Sequence, residues 1–249
     1  MARGKAATIA VYSLKGGVGK TTLAVNLAWS SASEANKKTL LWDLDPQAAA
    51  SYLLGHDGRR RAKAQSVFAR ETDPAALIVQ TGIGNLDLLP ADASLRGLDR
   101  MLFALGKRKR LARLVEDLTE RYDRIVLDCP PGLTEVAEQV MRAADLILTP
   151  VIPSPLSARA LSDVVAHLEA QDKKHAPLLP VFSMVDRRRA LHKAGLAEHD
   201  NWPAIPMASA VEQMAVQRAP VGVFAATSPA GLAFASLWRG VEKRLSKMR

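Results

Sequence analysis

Residues Ala7 to Thr22, ATIAVYSLKGGVGKTT, read as a buried strand, a glycine-rich turn and the start of a helix. This constrains the fold more than any other feature, because a strand that turns tightly into a helix must return to its sheet by a crossover. Gly16, Gly17 and Gly19 let successive backbone N–H groups curl toward one point, and the positive end of the following helix faces the same point. That arrangement receives phosphate. Within it Lys20 is placed to bridge the β- and γ-phosphates of a nucleotide, the Thr21 hydroxyl to ligate Mg²⁺ and Thr22 to approach the α-phosphate, with Val18 contributing backbone.

The rest of the chain repeats the alternation. Apolar, β-rich runs at 8–12, 39–42, 86–89, 124–127, 145–149, 179–184 and near Ile205 are separated by helical stretches at 21–33, 48–54, 95–121, 133–143, 157–171, 210–218 and 229–247. The pattern predicts a doubly wound, mostly parallel α/β sheet with helices on both faces, folded as a single domain over residues 1–249. No run approaches the ~18 apolar residues of a membrane-spanning helix, and the start lacks the features of a secretory signal, so a cytoplasmic location is expected. The single cysteine, Cys129, excludes an internal disulfide framework and a cysteine-based metal site within one chain.

Two acidic segments follow the glycine loop. LLWDLDPQ at 40–47 ends a strand in Asp43 and Asp45, and RIVLDCPP at 124–131 ends another in Asp128. Ligands collect at the carboxyl ends of strands in such sheets, so these carboxylates are candidates for metal and water chemistry. Singly, each would pass as an ordinary strand-end residue.

The loop departs from the strict G-x-x-x-x-G-K-(S/T) pattern at its first position, Leu14, and carries a second lysine, Lys15. KGGxGKT(S/T), then DxDPQ, then DxPP resembles the ParA/MinD superfamily of P-loop ATPases with a deviant Walker A loop, on its ParA branch. LDLLPA at 86–91 and LILTPVIPSPL at 146–156 extend the resemblance along nearly the whole chain. It implies ATP and Mg²⁺ as cofactors and an ATP-driven homodimer in which Lys15 reaches the partner subunit's nucleotide. Asp45 would orient the attacking water, giving Lys15, Lys20 and Asp45 catalytic roles, while Thr21, Asp43 and Asp128 would serve the metal. Met184, Pro206 and Met207 occupy the places of adenine contacts, although the wording after Pro206 departs from the common one.

The chain carries 34 Lys and Arg against 25 Asp and Glu, a formal charge of +9, which attracts polyanions. Basic residues cluster at 59–63, 107–110, 187–193 and 239–249. The resemblance directs non-specific DNA binding to the later two, at Arg187, Arg188, Arg189, Lys193, Lys243 and Arg244, and implies a nucleoid-associated ATPase that positions or segregates a plasmid, a chromosome or a protein cluster. A ParB-like or adaptor protein would stimulate hydrolysis. Only seven residues precede the first strand, so no N-terminal helix-turn-helix is expected. The alternatives are a MinD-like membrane switch and a metabolic ligase on the same loop. The apolar stripe of the last helix, Phe234, Leu237, Trp238, Val241, Leu245 and Met248, has the spacing of a helix packed on the sheet, which makes the membrane reading less favoured.

Overall fold

A computed structural model describes residues 6–57, 63–106, 109–170 and 175–248. Its strands are β1 (Ala7–Val11), β2 (Thr39–Asp43), β3 (Val79–Gln80), β4 (Leu86–Leu89), β5 (Arg124–Asp128), β6 (Leu146–Val151), β7 (Leu178–Val185) and β8 (Ala204–Pro206). They form one sheet in the order β3-β4-β2-β5-β1-β6-β7-β8, with β3 antiparallel to β4 and every other pair parallel. β1, β2, β5 and β6 are buried at every residue, as interior strands covered on both faces must be.

Successive side chains of each strand serve opposite faces. Ala10 and Tyr12 enter one core with Trp42, Phe68, Leu102, Leu114 and Val140, whereas Ile9 and Val11 enter the other with Leu23, Leu27, Phe234 and Trp238. The first face is covered by α3 (Gln65–Ala69), α4 (Pro74–Leu77), α5 (Leu98–Leu105), α6 (Arg110–Leu118), α7 (Glu135–Ala143) and α8 (Pro155–Glu169). The second is covered by α1 (Lys20–Trp29), α2 (Ala49–Leu53), α10 (Ser209–Gln217), α11 (Val221–Phe224) and α12 (Pro229–Lys247). α9 (Ala190–Glu198) joins β7 to β8 and packs closely on Pro153, where a Cβ on Gly195 would stand 3.3 Å from the proline Cβ.

Every strand expected from the sequence is present. The predicted helix over 95–121 is instead a 3-10 turn at Ala93–Gly97 followed by α5 and α6, because Gly106 takes a left-handed conformation (φ 58°) that ends α5. The helix expected to reach Ser33 passes at Ser30 into a wider π-turn, Ser30–Glu34, and its Ser31 hydroxyl meets that of Thr39 on β2 at 2.7 Å. The expected packing of α12 holds: Phe234, Leu237, Trp238, Val241 and Leu245 are buried, although Met248 at its end is exposed. Arg59, Arg60, Arg61, Lys107, Arg108 and Arg249 lie outside the described residues.

Candidate functional site

The chain changes direction around β1, which lies between β5 and β6, so the carboxyl end of β1 opens onto the crevice where ligands bind in this architecture. The glycine loop occupies that position. Gly17 (φ 70°) and Gly19 (φ 88°) are left-handed, a conformation open to glycine at little cost, and Gly19 is the residue before α1. Val18 is buried, and its carbonyl accepts a hydrogen bond from the Ser183 hydroxyl at 2.8 Å, which fastens the loop to β7. Lys20 is buried, and its ammonium donates to the Lys15 carbonyl at 2.8 Å. Burial lowers its pKa, against the pull of Asp128 and Asp45. Thr21 and Thr22 are half-buried on the first turn of α1.

Asp43 and Asp128 end adjacent strands and are register partners, both fully buried. They differ in satisfaction. Asp43 accepts from the Ser51 N–H at 2.9 Å, the Ser51 hydroxyl at 2.7 Å and the Asp45 N–H at 3.1 Å, so it holds the segment carrying Asp45 in place. Among the described residues neither oxygen of Asp128 has a partner at hydrogen-bonding geometry, although the Thr21 hydroxyl stands near enough to act on it. Burial, first, and the charge of Asp43 push its pKa well up, opposed by the Thr21 hydroxyl and Lys20. A buried carboxylate without donors, beside a second carboxylate and the Thr21 side chain, fits a hydrated divalent cation. Mg²⁺ is such an ion, since it keeps several waters and takes few protein ligands. Asp45 is half-buried, one oxygen accepts from the Gln47 N–H at 2.9 Å, and its charge acts on Lys20 of the loop.

A cavity of about 120 Å³ adjoins the phosphate loop, lined by Gly19 and Thr22 on one side and by Ser183, Met184, Ile205, Pro206, Met207 and Phe234 on the other. Met184, Pro206 and Met207, expected at the base site, all line this cavity. Met184 takes a left-handed φ of 52° where the β7–β8 register shifts, which turns it out of the strand to line the cavity. Ser183 and Glu212, which belong to no motif of the sequence, line it as well. A lone hydroxyl within an apolar strand was the only signal for Ser183; Glu212 had none.

The loop after Asp128 is joined to the phosphate loop. The buried Tyr12 hydroxyl donates to the Gly132 carbonyl at 3.0 Å, and the Gly132 N–H donates to the Leu14 carbonyl at 3.2 Å, with Gly132 left-handed at φ 93°. Leu14, the residue that breaks the strict motif, thus contributes its backbone to this link.

The six basic residues assigned to DNA fall at opposite edges of the sheet. Arg187, Arg188, Arg189 and Lys193 are exposed beyond the carboxyl end of β7, where Arg188 pairs with Asp186 (Nε to Oδ1, 2.9 Å). Lys243 and Arg244 lie on α12 beside Leu179, Trp202 and Ala204, at the amino ends of β7 and β8, and line a groove of about 540 Å³.

The model of the family described as "AAA domain" (AAA_31) matches residues 6–180, from β1 through the first strands that frame the site. The chromosome partitioning protein ParA of Caulobacter vibrioides is 33% identical over 195 residues, covering 74% of this chain and 71% of that protein. The chain belongs to the ParA/MinD superfamily of P-loop ATPases. Among solved structures, a Cyanothece McdA variant in complex with ATP superimposes with a TM-score of 0.81 at 22% identity, covering 98% of this chain and 97% of its own. Cobyrinic acid a,c-diamide synthase from Mycobacterium smegmatis, with a bound ATP analogue and magnesium, gives 0.83 at 24% identity over 98% and 97%. These two establish the fold of this superfamily member. No helix among the described residues is long and apolar enough to cross a membrane.

Proposed function

We propose that this ParA-like protein is an ATP-dependent dimerising switch that binds DNA non-specifically and positions or segregates a cargo, with a partner protein stimulating hydrolysis to release it. The observation that carries the reading is the division of labour between the two loop lysines. Lys20 is buried inside its own loop, whereas the half-buried Lys15 is bonded there through its backbone, its carbonyl to the Lys20 ammonium and its N–H to the Ser13 hydroxyl, which would leave its ammonium for a facing subunit. The cradle suits MgATP: Gly16 to Thr22 would hold the phosphates, Thr21 and Asp128 the metal with Asp43 supporting, and the cavity lined by Met184 and Pro206 would take the base. Bound Mg²⁺ would supply charge neutralisation to the transferring phosphoryl group, and Asp45 would hold the water for attack.

The chromosome-partitioning relative supports a segregation role, and the +9 charge supports a polyanionic track. The buried stripe of α12 speaks against a membrane-inserting tail. Co-sedimentation with ATP tests the reading: duplex DNA should carry the protein down and anionic vesicles should not. Recovery with vesicles alone would overturn it in favour of the membrane switch, and ADP release that depends on a small amide donor rather than on DNA would favour a ligase.

A further inference from the structure

The loop that leaves Asp128 is poor in backbone donors. β1 and β5 run side by side up to the pair Val11–Asp128, and the Cys129 N–H extends their ladder by one bond, to the Val11 carbonyl at 3.3 Å. Pro130 and Pro131 follow, and neither has an N–H to continue it. The next fixed point along the chain toward α7 is Thr134, whose hydroxyl caps that helix by accepting the Ala137 N–H at 3.2 Å. Between these ends Gly132 is held from both sides: its N–H by the Leu14 carbonyl at 3.2 Å, its carbonyl by the Tyr12 hydroxyl at 3.0 Å.

Tyr12 can aim that hydroxyl at one place only. It is fully buried, its own N–H donates to the Leu148 carbonyl at 2.9 Å, and its ring lies in the core that takes Val136, Ala137 and Val140 of α7. Gly132 is left-handed at φ 93°, a residue at which the chain can turn freely, so a donor fixed on its carbonyl selects one conformation of the loop. The bonded stretch on the other side, Tyr12 to Leu14, runs directly into Lys15, whose carbonyl holds the Lys20 ammonium. We propose that Tyr12 is a positioning residue for phosphoryl transfer: its hydroxyl pins the loop between Asp128 and α7 to the phosphate loop, so that the two respond to nucleotide as one body. The proposal rests on the reading of the cradle as an MgATP site.

Tyr12→Phe keeps the ring in its core and deletes the bond. In single-turnover measurements it should hold ATP affinity within about threefold of wild type and lose about tenfold in rate, the scale of one lost hydrogen bond. Hydrogen exchange separates positioning from mere stability: MgATP should slow exchange across 132–140 in the wild type, and in Tyr12→Phe that slowing should vanish while persisting at 16–24. Tyr122→Phe removes another buried hydroxyl bond, to Asp87 at 2.8 Å at the amino end of the sheet, and should lower the thermal midpoint similarly with rate and exchange unchanged. Gly132→Ala strains the other end of the pin and should reproduce the split between affinity and rate. The double variant should lose no more than the larger single loss, because both changes break one contact. A wild-type rate and exchange pattern in Tyr12→Phe, additive losses in the double variant, or an equal rate loss in Tyr122→Phe overturns the proposal and leaves the nucleotide site standing. Failure of the wild type to bind ATP overturns the site itself, and the proposal with it.

Discussion

At the scale of single residues, the phosphate loop separates two lysines by five positions and gives them opposite environments. Lys20 is buried and bonded within its loop; the Lys15 ammonium is not drawn into that network. Lys15→Gln should therefore leave nucleotide affinity within a few-fold of wild type while abolishing the ATP-dependent dimer in size-exclusion chromatography, and a persisting dimer would break the proposed link to assembly. Asp45 is held through its backbone, by Asp43 and the Ala48 N–H, and through one side-chain oxygen, by the Gln47 N–H, so removing the carboxylate should leave the loop in place. Asp45→Ala should bind ATP and dimerise yet turn over about 10²-fold more slowly or worse, which is the range for a lost proton-handling or water-orienting group; unchanged single-turnover rates would refute that role. His192 makes a different kind of prediction. It is buried, and its Nδ1 accepts the Asp186 N–H at 3.0 Å, so the folded protein requires the neutral ring. Burial, with Arg189 adding to it and Asp186 opposing, lowers its pKa below the usual 6.5. The unfolded chain then takes up the proton first as pH falls, so stability contributed here is full above about 6.5 and declines on acidification. Hydrogen exchange at 186–199 should accelerate between pH 7 and 5 in the wild type, and a His192→Gln variant should lose that dependence.

Among elements, the legible ones are those whose own residues dictate their conformation. The glycine loop, the strands ending in Asp43 and Asp128, and α12 all carry their pattern locally, and all appear where the sequence puts them. β3 escapes because two residues cannot show a period, and α9 because its apolar positions are sparse beside the arginines that precede it. The site followed the same rule. Lys20, Asp43, Asp128 and Met184 were readable from motif order, whereas the Tyr12 to Gly132 and Ser183 to Val18 hydrogen bonds join residues 120 and 165 positions apart and are set by sheet order alone. The packing of α11 on α1 is similarly unreadable from sequence, yet it is sharply defined: a Cβ on Gly222 would stand 2.0 Å from the Trp29 ring. Gly222→Ala must displace that indole, and we expect a loss of about 1–3 kcal/mol from overpacking in chemical denaturation, whereas Gly240→Ala, inside α12 and meeting open space, should gain about 0.5–1 kcal/mol.

For the whole molecule, the sheet sets the phosphate loop and the Arg187–Lys193 cluster at its carboxyl edge and the Lys243–Arg244 groove at the amino edge. A dimer closed across the phosphate loops, as proposed for Lys15, would bring the carboxyl edges of the two subunits toward each other and leave both amino edges facing outward. On that geometry the α12 groove is free to meet DNA in the dimer, whereas the Arg187–Lys193 cluster lies on the side of the facing subunit, with Arg188 already engaged by Asp186. Phosphate contacts carry no base information but each neutralised phosphate steepens the salt dependence, by close to 0.9 in the logarithmic slope for duplex DNA. Replacing Lys243 and Arg244 with Gln should lower that slope by about 2 per subunit and weaken binding uniformly across sequences. Replacing Arg187 and Arg189 with Gln should leave the slope nearly unchanged and instead alter dimer formation. If the second pair lowers the slope and the first does not, DNA runs along the carboxyl edge, and the two clusters exchange roles.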